Sequence, residues 1–301
     1  MGELPSVEQA WRAALFDSTG FYREQWPARH FSTAANTGAD LAWALSRLAR
    51  THDLDTVVDV GAGGGELLTA LHAVDPSLHL LAVELRPRPS RLPPRIRWQR
   101  QLPTELHGLV VGNELLDTVP CPVVEVDAGG TPRVLLVDTD SGAEHLGPTV
   151  QAADVQWLER WWPTATPGSR AELGGPRDDV WASMLDRVSH GLAVAIDYGH
   201  HRTTRPTAGS LRSYRRGHRV PVTFDGTADI TADVALDAVA DRVGGSVHRQ
   251  RDVLDGSWLA PAGRSTDVSG RLDELMRAGR RAEVRAAGGL GELCWIISTR
   301  G

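Results

Sequence analysis

TVVDVGAGGGELL, residues 56–68, decides how the rest of the chain is read. Thr56 to Val60 is a short β-branched apolar run of the kind that forms a strand covered on both faces. It stops at the glycine cluster 61–65. Leu67, Leu68, Leu71 and Val74 then recur at helical spacing until Pro76 ends the run. Strand, glycine turn and helix in that order open an α/β fold with parallel strands. Glycine lets the backbone turn tightly and approach a ligand with no Cβ in the way. The helix that follows presents unpaired N–H groups.

Working outward, further apolar runs predict strands over 78–83 (ending at Glu84), 96–98, 108–112, 192–196, 246–249 and 293–298. Helices are expected over 6–16 and 36–50, the second capped by Asn36 or Thr37, and near 231–243 and 267–287. The stretch 121–190 breaks the rhythm. Val123–Val126 and Val134–Val137 read as a hairpin around Asp127-Ala128-Gly129-Gly130, followed by helices near 151–163 and 177–189. The expectation is an α/β protein with a Rossmann-like, doubly wound, mostly parallel seven-stranded sheet. Residues 1–50 form an N-terminal helical region, 51–120 and 191–301 the core, and 121–190 an α+β insertion that caps the substrate side. Ligands of such sheets sit at the carboxyl ends of the strands.

Composition narrows the chemistry. All 32 basic residues are arginine, which excludes a P-loop lysine, a Schiff-base lysine and a lysine general base. The net charge of −6 does not favour nucleic acid or an anionic membrane. Cys121 and Cys294 are too few for a disulfide framework or a four-thiolate zinc site, and no other metal signature occurs. No apolar run approaches the length of a membrane span, and the N-terminus lacks a signal-peptide layout. Met1-Gly2-Glu3-Leu4-Pro5-Ser6 fits the loose myristoylation pattern, a match short enough to arise by chance. A cytoplasmic protein is expected.

The glycine loop discriminates between cofactors. The dinucleotide fingerprint G-x-G-x-x-G, counted from Gly61, needs a third glycine where Glu66 stands. The pattern present is D-x-G-x-G-x-G, with Asp59, Gly61, Gly63 and Gly65. It resembles the first motif of class I S-adenosylmethionine-dependent methyltransferases. Glu84, at the end of the second strand, is placed to accept ribose hydroxyls, a role that both cofactor classes share. After the fourth strand comes Asn113-Glu114-Leu115-Leu116-Asp117-Thr118-Val119-Pro120. Asn113 is expected to cap a helix, with Glu114 and Asp117 on one face of it. The fifth strand ends in Asp197-Tyr198-Gly199-His200. Later come Gly209-Ser210-Leu211-Arg212-Ser213-Tyr214 and Asp229-Ile230-Thr231, and upstream lies Phe31-Ser32-Thr33-Ala34.

This set, in this order over about residues 20–240, resembles the MidA-like (DUF185) methyltransferases, whose mitochondrial member is associated with complex I assembly and symmetric dimethylation of a protein arginine. The resemblance implies S-adenosyl-L-methionine as cofactor. It implies that Asp59, Gly61, Gly63, Gly65, Glu84, Asn113 and Thr33 hold it. Asn113, Glu114 and Asp117 would lie at the methyl-transfer face, and Asp197, Tyr198 and His200 would form the opposite wall. Two departures stand out. The segment before Thr33 lacks the family's glycine-aspartate lead, and the middle insertion is reduced. Substrate identity is therefore the least transferable inference.

A protein or peptide arginine as acceptor would call for paired carboxylates, Glu114 with Asp117 or Asp197, to grip the guanidinium. A phenol or acid would instead call for a general base, with His200 as the candidate. Otherwise His200 and His201 read as loop histidines. Trp157, Trp161 and Trp162 read as packing residues or a substrate-facing wall. The arginines at 202, 205, 212, 215, 216 and 219 read as a solvated face, with Arg212 the exception. Two other functions stay open: a cofactor-binding assembly protein without turnover, and a dinucleotide-dependent oxidoreductase, which Glu66 opposes. The oligomeric state is not legible.

Overall fold

Each apolar run offers a face that only a neighbouring strand or helix can cover, and seven of them join in one sheet. The computed structural model describes residues 3–24, 39–164, 166–254, 286 and 289–301. The sheet strands are β1 (Thr56–Val60), β2 (His79–Val83), β3 (Arg97–Gln99), β4 (Leu106–Asn113), β5 (Val188–Asp197), β6 (Ser246–Arg249) and β7 (Cys294–Arg300). Their order is β6-β7-β5-β4-β1-β2-β3. β1 to β5 run parallel, and β7 lies antiparallel to both β5 and β6. The strand order reverses between β1 and β4, which makes their carboxyl ends the crevice where such sheets bind ligands.

The helices Ala39–Thr51 and Glu66–Val74 share a core with this sheet. Leu41, Leu45, Leu68 and Leu71 are buried with Val57, Leu109, Val111 and Trp295. Each such leucine contributes about 1.5–3 kcal/mol on leaving water. β4 and β5 approach closely at their start. A Cβ on Gly191, at φ 134°, would lie 2.1 Å from the carbonyl oxygen of its partner Gly108, so only glycine fits.

The chain divides into two compact units. One comprises Ser32–Glu114, Met184–Tyr198 and Ser246–Gly301 and carries the seven-stranded sheet. The other comprises Met1–Phe31, Leu115–Ser183 and Gly199–Gly245. Residues 199–245, read from the sequence as core, thus group with the N-terminal helix and the middle segment. In this second unit the hairpin strands Val123–Val126 and Pro132–Val137 gain Glu144–Thr149 and Arg170–Glu172 to make a four-stranded antiparallel sheet. The helix Val7–Phe16 starts with a capping box: Gln9 N donates to Ser6 Oγ and Ser6 N to Gln9 Oε1. Trp11 on this helix is fully buried, and its indole N–H donates to the Ile230 carbonyl at 2.9 Å.

Two expectations are corrected. The stretch after residue 200, where no strand was expected before a helix near 231–243, holds the strands Arg212–Arg215, His218–Val220 and Asp229–Thr231, and the helix is Leu236–Val243. The strands escaped notice because their inward residues are polar, Ser213 and Asp229 being buried. The 113–120 stretch forms no α-helix. Asn113 is the last residue of β4 and caps nothing, and Leu116–Thr118 is a single 3-10 turn. The expected helix at 267–287 and the cap at Asn36 or Thr37 lie outside the described residues, apart from Ala286. No helix among the described residues is long and apolar enough to cross a membrane.

Candidate functional site

At the carboxyl end of β1 the glycine loop is held in a fixed shape. Gly61, Gly63 and Gly65 have φ of 73°, 58° and 82°, a left-handed conformation that costs other L-residues. The amides of Gly61 and Ala62 donate to the Val83 carbonyl at 2.9 and 3.4 Å, tying the loop to β2. A Cβ on Gly65 would lie 2.5 Å from Leu92 Cδ1. Glu66, the first helical residue, folds back so that its carboxylate accepts from the Gly64 amide at 2.8 Å. That donor is then spent on an internal acid, which opposes a pyrophosphate at this helix N-terminus.

Asp59 is buried beside the loop. Burial first, then the charges of Glu84 and Glu66, push its carboxyl up to about 8. Glu84 follows β2 and is also buried. Its Oε2 accepts from the Gly63 amide at 3.0 Å and from Arg86 Nη2 at 3.1 Å. Its Oε1 accepts from the Arg86 amide at 3.0 Å and from Arg86 Nε at 3.1 Å. The glycine loop, Asp59, Glu66 and Glu84 are thus brought together. Thr33 lies outside the described residues.

β4 and β5 end side by side, with Asn113 paired to Ile196. Glu114 has a φ of 48°, and its amide donates to the Ile196 carbonyl at 2.8 Å. A left-handed glutamate costs about 1–3 kcal/mol, and such strain clusters at functional positions. Asn113 Nδ2 lies 3.3 Å from Glu114 Oε1, while Asn113 Oδ1 is buried with no partner among the described residues. Asp197 is fully buried and accepts from the Tyr198 amide at 2.9 Å. These four residues belong to the sheet-bearing unit.

Asp117 and His200 belong to the other unit and are tied into a network of arginines. Asp117 is buried, which raises its carboxyl to about 6 against the pull of Arg177 and Arg212. Arg177 is almost fully buried and donates to three backbone carbonyls: Val119 at 3.1 Å, Asp233 at 3.0 Å and Asp117 at 3.1 Å. Its guanidinium also sits 5.6 Å from the centroid of the Trp11 ring. Arg212 pairs with Asp233 at 2.6 Å. Sequence reasoning missed Arg177, since one arginine among 32 carries no signal by residue type.

His200 is buried, not a surface loop residue. Its Nδ1 lies 2.7 Å from Arg205 Nη1, and Arg205 also pairs with Asp237. A guanidinium only donates, so Nδ1 is the acceptor and the ring proton sits on Nε2. Burial, then the charge of Arg205, hold the imidazole down to about 4, so it is neutral at pH 7. Nε2 is buried with no hydrogen-bond partner among the described residues and already carries the ring proton, so the general-base expectation is corrected on that ground. The solvated-face reading holds for Arg202, Arg215, Arg216 and Arg219, which are exposed, and fails for Arg205; Arg212, the exception, pairs with Asp233. Trp162 is buried with its ring edge-on to His200 at 4.6 Å, and Trp157 donates to Asp178 at 2.8 Å, so both are packing residues. Among the described residues no group of three His, Cys, Asp or Glu side chains could hold a metal ion.

Comparison with known proteins gives three findings. The family model described as "Putative S-adenosyl-L-methionine-dependent methyltransferase" matches residues 70–251, more than half of the chain; the matched span begins after the glycine loop. Two crystal structures from Burkholderia thailandensis share the fold. One is a COG1565 superfamily member and likely methyl transferase bound to S-adenosyl-homocysteine, with a TM-score of 0.82 at 22% identity, covering 99% of this chain and 88% of that one. The other is a native structure of an uncharacterized COG1565 superfamily protein, with a TM-score of 0.82 at 22% identity, covering 99% and 87%. No curated protein matches the chain in sequence.

Proposed function

The chain belongs to the S-adenosyl-L-methionine-dependent methyltransferase family, and from that premise we propose that it is a MidA-like class I enzyme that methylates an arginine of a protein or peptide. The observation that carries this reading is the pair of acids at neighbouring strand ends, Glu114 in its left-handed conformation and Asp197 beside the β4–β5 pairing. Carboxylates so placed suit a planar cationic guanidinium, which they would orient by charge-assisted hydrogen bonds. Glu114 would also take the proton that the guanidinium sheds as its nitrogen is alkylated.

The residues present fit the cofactor. Asp59, Glu66 and Glu84 place three acids beside the glycine loop; Arg86 pairs with Glu84, and Asp59 is lifted by burial first and then by repulsion from Glu84 and Glu66. A ligand bearing an ammonium group relieves that repulsion, and a pyrophosphate worsens it. Asp59, Gly61, Gly63, Gly65, Glu84 and Asn113 would hold the cofactor, as would Thr33. When bound, the cofactor supplies a methyl group on a cationic sulfur. The chain's contribution is orientation: holding donor and acceptor in line is worth on the order of 7–11 kcal/mol in ideal cases. Tyr198 would border the acceptor. The two thiols, both buried and free, fit a reducing cytoplasm.

The test is incubation of the whole chain with methyl-labelled cofactor and arginine-containing peptides, read by mass spectrometry at the modified atom. Label on a guanidinium nitrogen supports the proposal. Label only on a carboxyl or hydroxyl oxygen would contradict it.

A further inference from the structure

We propose that Arg86 is a built-in competitor for the carboxylate that receives the cofactor's ribose. The inference rests on the reading of Glu84 as the ribose acceptor. A carboxylate offers about four lone-pair positions, and all four on Glu84 are taken. Two hold backbone amides, Gly63 on Oε2 and Arg86 on Oε1. The other two hold the guanidinium fork, Nε on Oε1 at 3.1 Å and Nη2 on Oε2 at 3.1 Å. Two donors, one to each oxygen, is also the pattern that a ribose cis-diol presents. The pair is well placed to persist, because both side chains are only 7% exposed, and the Arg86 backbone is fixed by Trp98 Nε1, which donates to its carbonyl at 2.9 Å.

The guanidinium therefore completes the site in the absence of ligand and must swing away when the diol arrives, leaving the two backbone amides in place. This spares the fold an unpaired buried carboxylate, at the expense of affinity. Apparent binding falls by the fraction of molecules in which the site is open. A fork that is closed nine-tenths of the time weakens binding about tenfold.

The experiment is calorimetric titration of the whole chain with S-adenosylhomocysteine, adenosine and dideoxyadenosine, the last lacking the diol. It compares wild type, Arg86→Ala, Arg86→Lys and Glu84→Gln, each checked by a thermal melt. Arg86→Ala is expected to bind S-adenosylhomocysteine and adenosine about tenfold more tightly, with dideoxyadenosine unchanged. Arg86→Lys, a point charge that cannot span both oxygens, is expected to fall between wild type and alanine, and it serves if the alanine variant does not fold. Unchanged or weaker binding by both Arg86 variants, with Glu84→Gln weakened, would overturn the competitor and leave the ribose reading standing. Equal gains for adenosine and dideoxyadenosine would also overturn it. Wild-type affinity in Glu84→Gln would overturn the ribose reading itself, and the competitor with it.

Discussion

The two units bury charge in opposite ways. At the glycine loop the acids face one another: Asp59 is lifted to about 8 by burial and by Glu84 and Glu66. In the other unit, Asp117 is just as buried but rises only to about 6, because Arg177 and Arg212 pull against the burial. In the first arrangement Arg86 pairs with Glu84, and no arginine among the described residues pairs with Asp59 or Glu66, which suits a cationic ligand. The second is balanced from within, its arginines being spent on backbone carbonyls and on aspartates.

The largest effect expected from this contrast is on Arg177. Its replacement by methionine strands three buried carbonyl acceptors, and a loss of about 3–5 kcal/mol in urea unfolding is expected. A loss below about 1 kcal/mol would show that the guanidinium is not what holds residues 117–119 and 233. Next comes Glu114→Gln. Methyl transfer should drop about 100-fold with S-adenosylhomocysteine affinity unchanged, the signature of a group that acts on the acceptor. Full turnover would remove Glu114 from the chemistry.

A smaller effect concerns pH, and two residues oppose each other. Asp59 has a folded value raised to about 8, above an unfolded value of about 3.9. Its stabilising contribution is full below the unfolded value and is lost as pH rises through the folded one. His200 is depressed to about 4 from about 6.5, so its contribution is present above the unfolded value and is lost as pH falls through the folded one. Asp59→Asn should therefore flatten the decline in melting temperature as pH rises from about 4 to about 8, and His200→Gln the decline as pH falls from about 6.5 to about 4. If each variant tracks wild type across its window, the charge argument fails at that residue.

Much of the fold was legible because burial on both faces leaves continuous apolar runs. β1, β2, β4, β5 and β7 announce themselves that way, from Val57-Val58 to Ile296-Ile297, whereas β3 (Arg97–Gln99) and β6 (Ser246–Arg249) are short, largely polar edge strands. The glycine loop was legible because glycine is the cheap solution at φ 58–82°. What escaped has no residue-type signal. Arg86 and Arg177 stand among 32 arginines, and only contacts separate a buried fork from a solvated one. The strands around Ser213 and Asp229 face inward with polar side chains, and what Asp229 meets there, Tyr22 Oη donating to its Oδ1 at 2.7 Å, lies 207 residues away in sequence. Glu114 takes a left-handed conformation that glutamate rarely adopts, so its departure from the expected helix could not be read from the residue itself.

The central claim, a glycine loop flanked by Asp59, Glu66 and Glu84 and shaped for an adenosyl ligand with a cationic tail, is tested most directly by thermal shift of the whole chain with S-adenosylhomocysteine, using NAD as the control. At about 100 times its dissociation constant, a ligand of the folded state stabilises by about 2.7 kcal/mol, a visible rise in melting temperature. The account predicts that rise with S-adenosylhomocysteine and none with NAD. A rise with NAD alone, or no rise with S-adenosylhomocysteine, would contradict it.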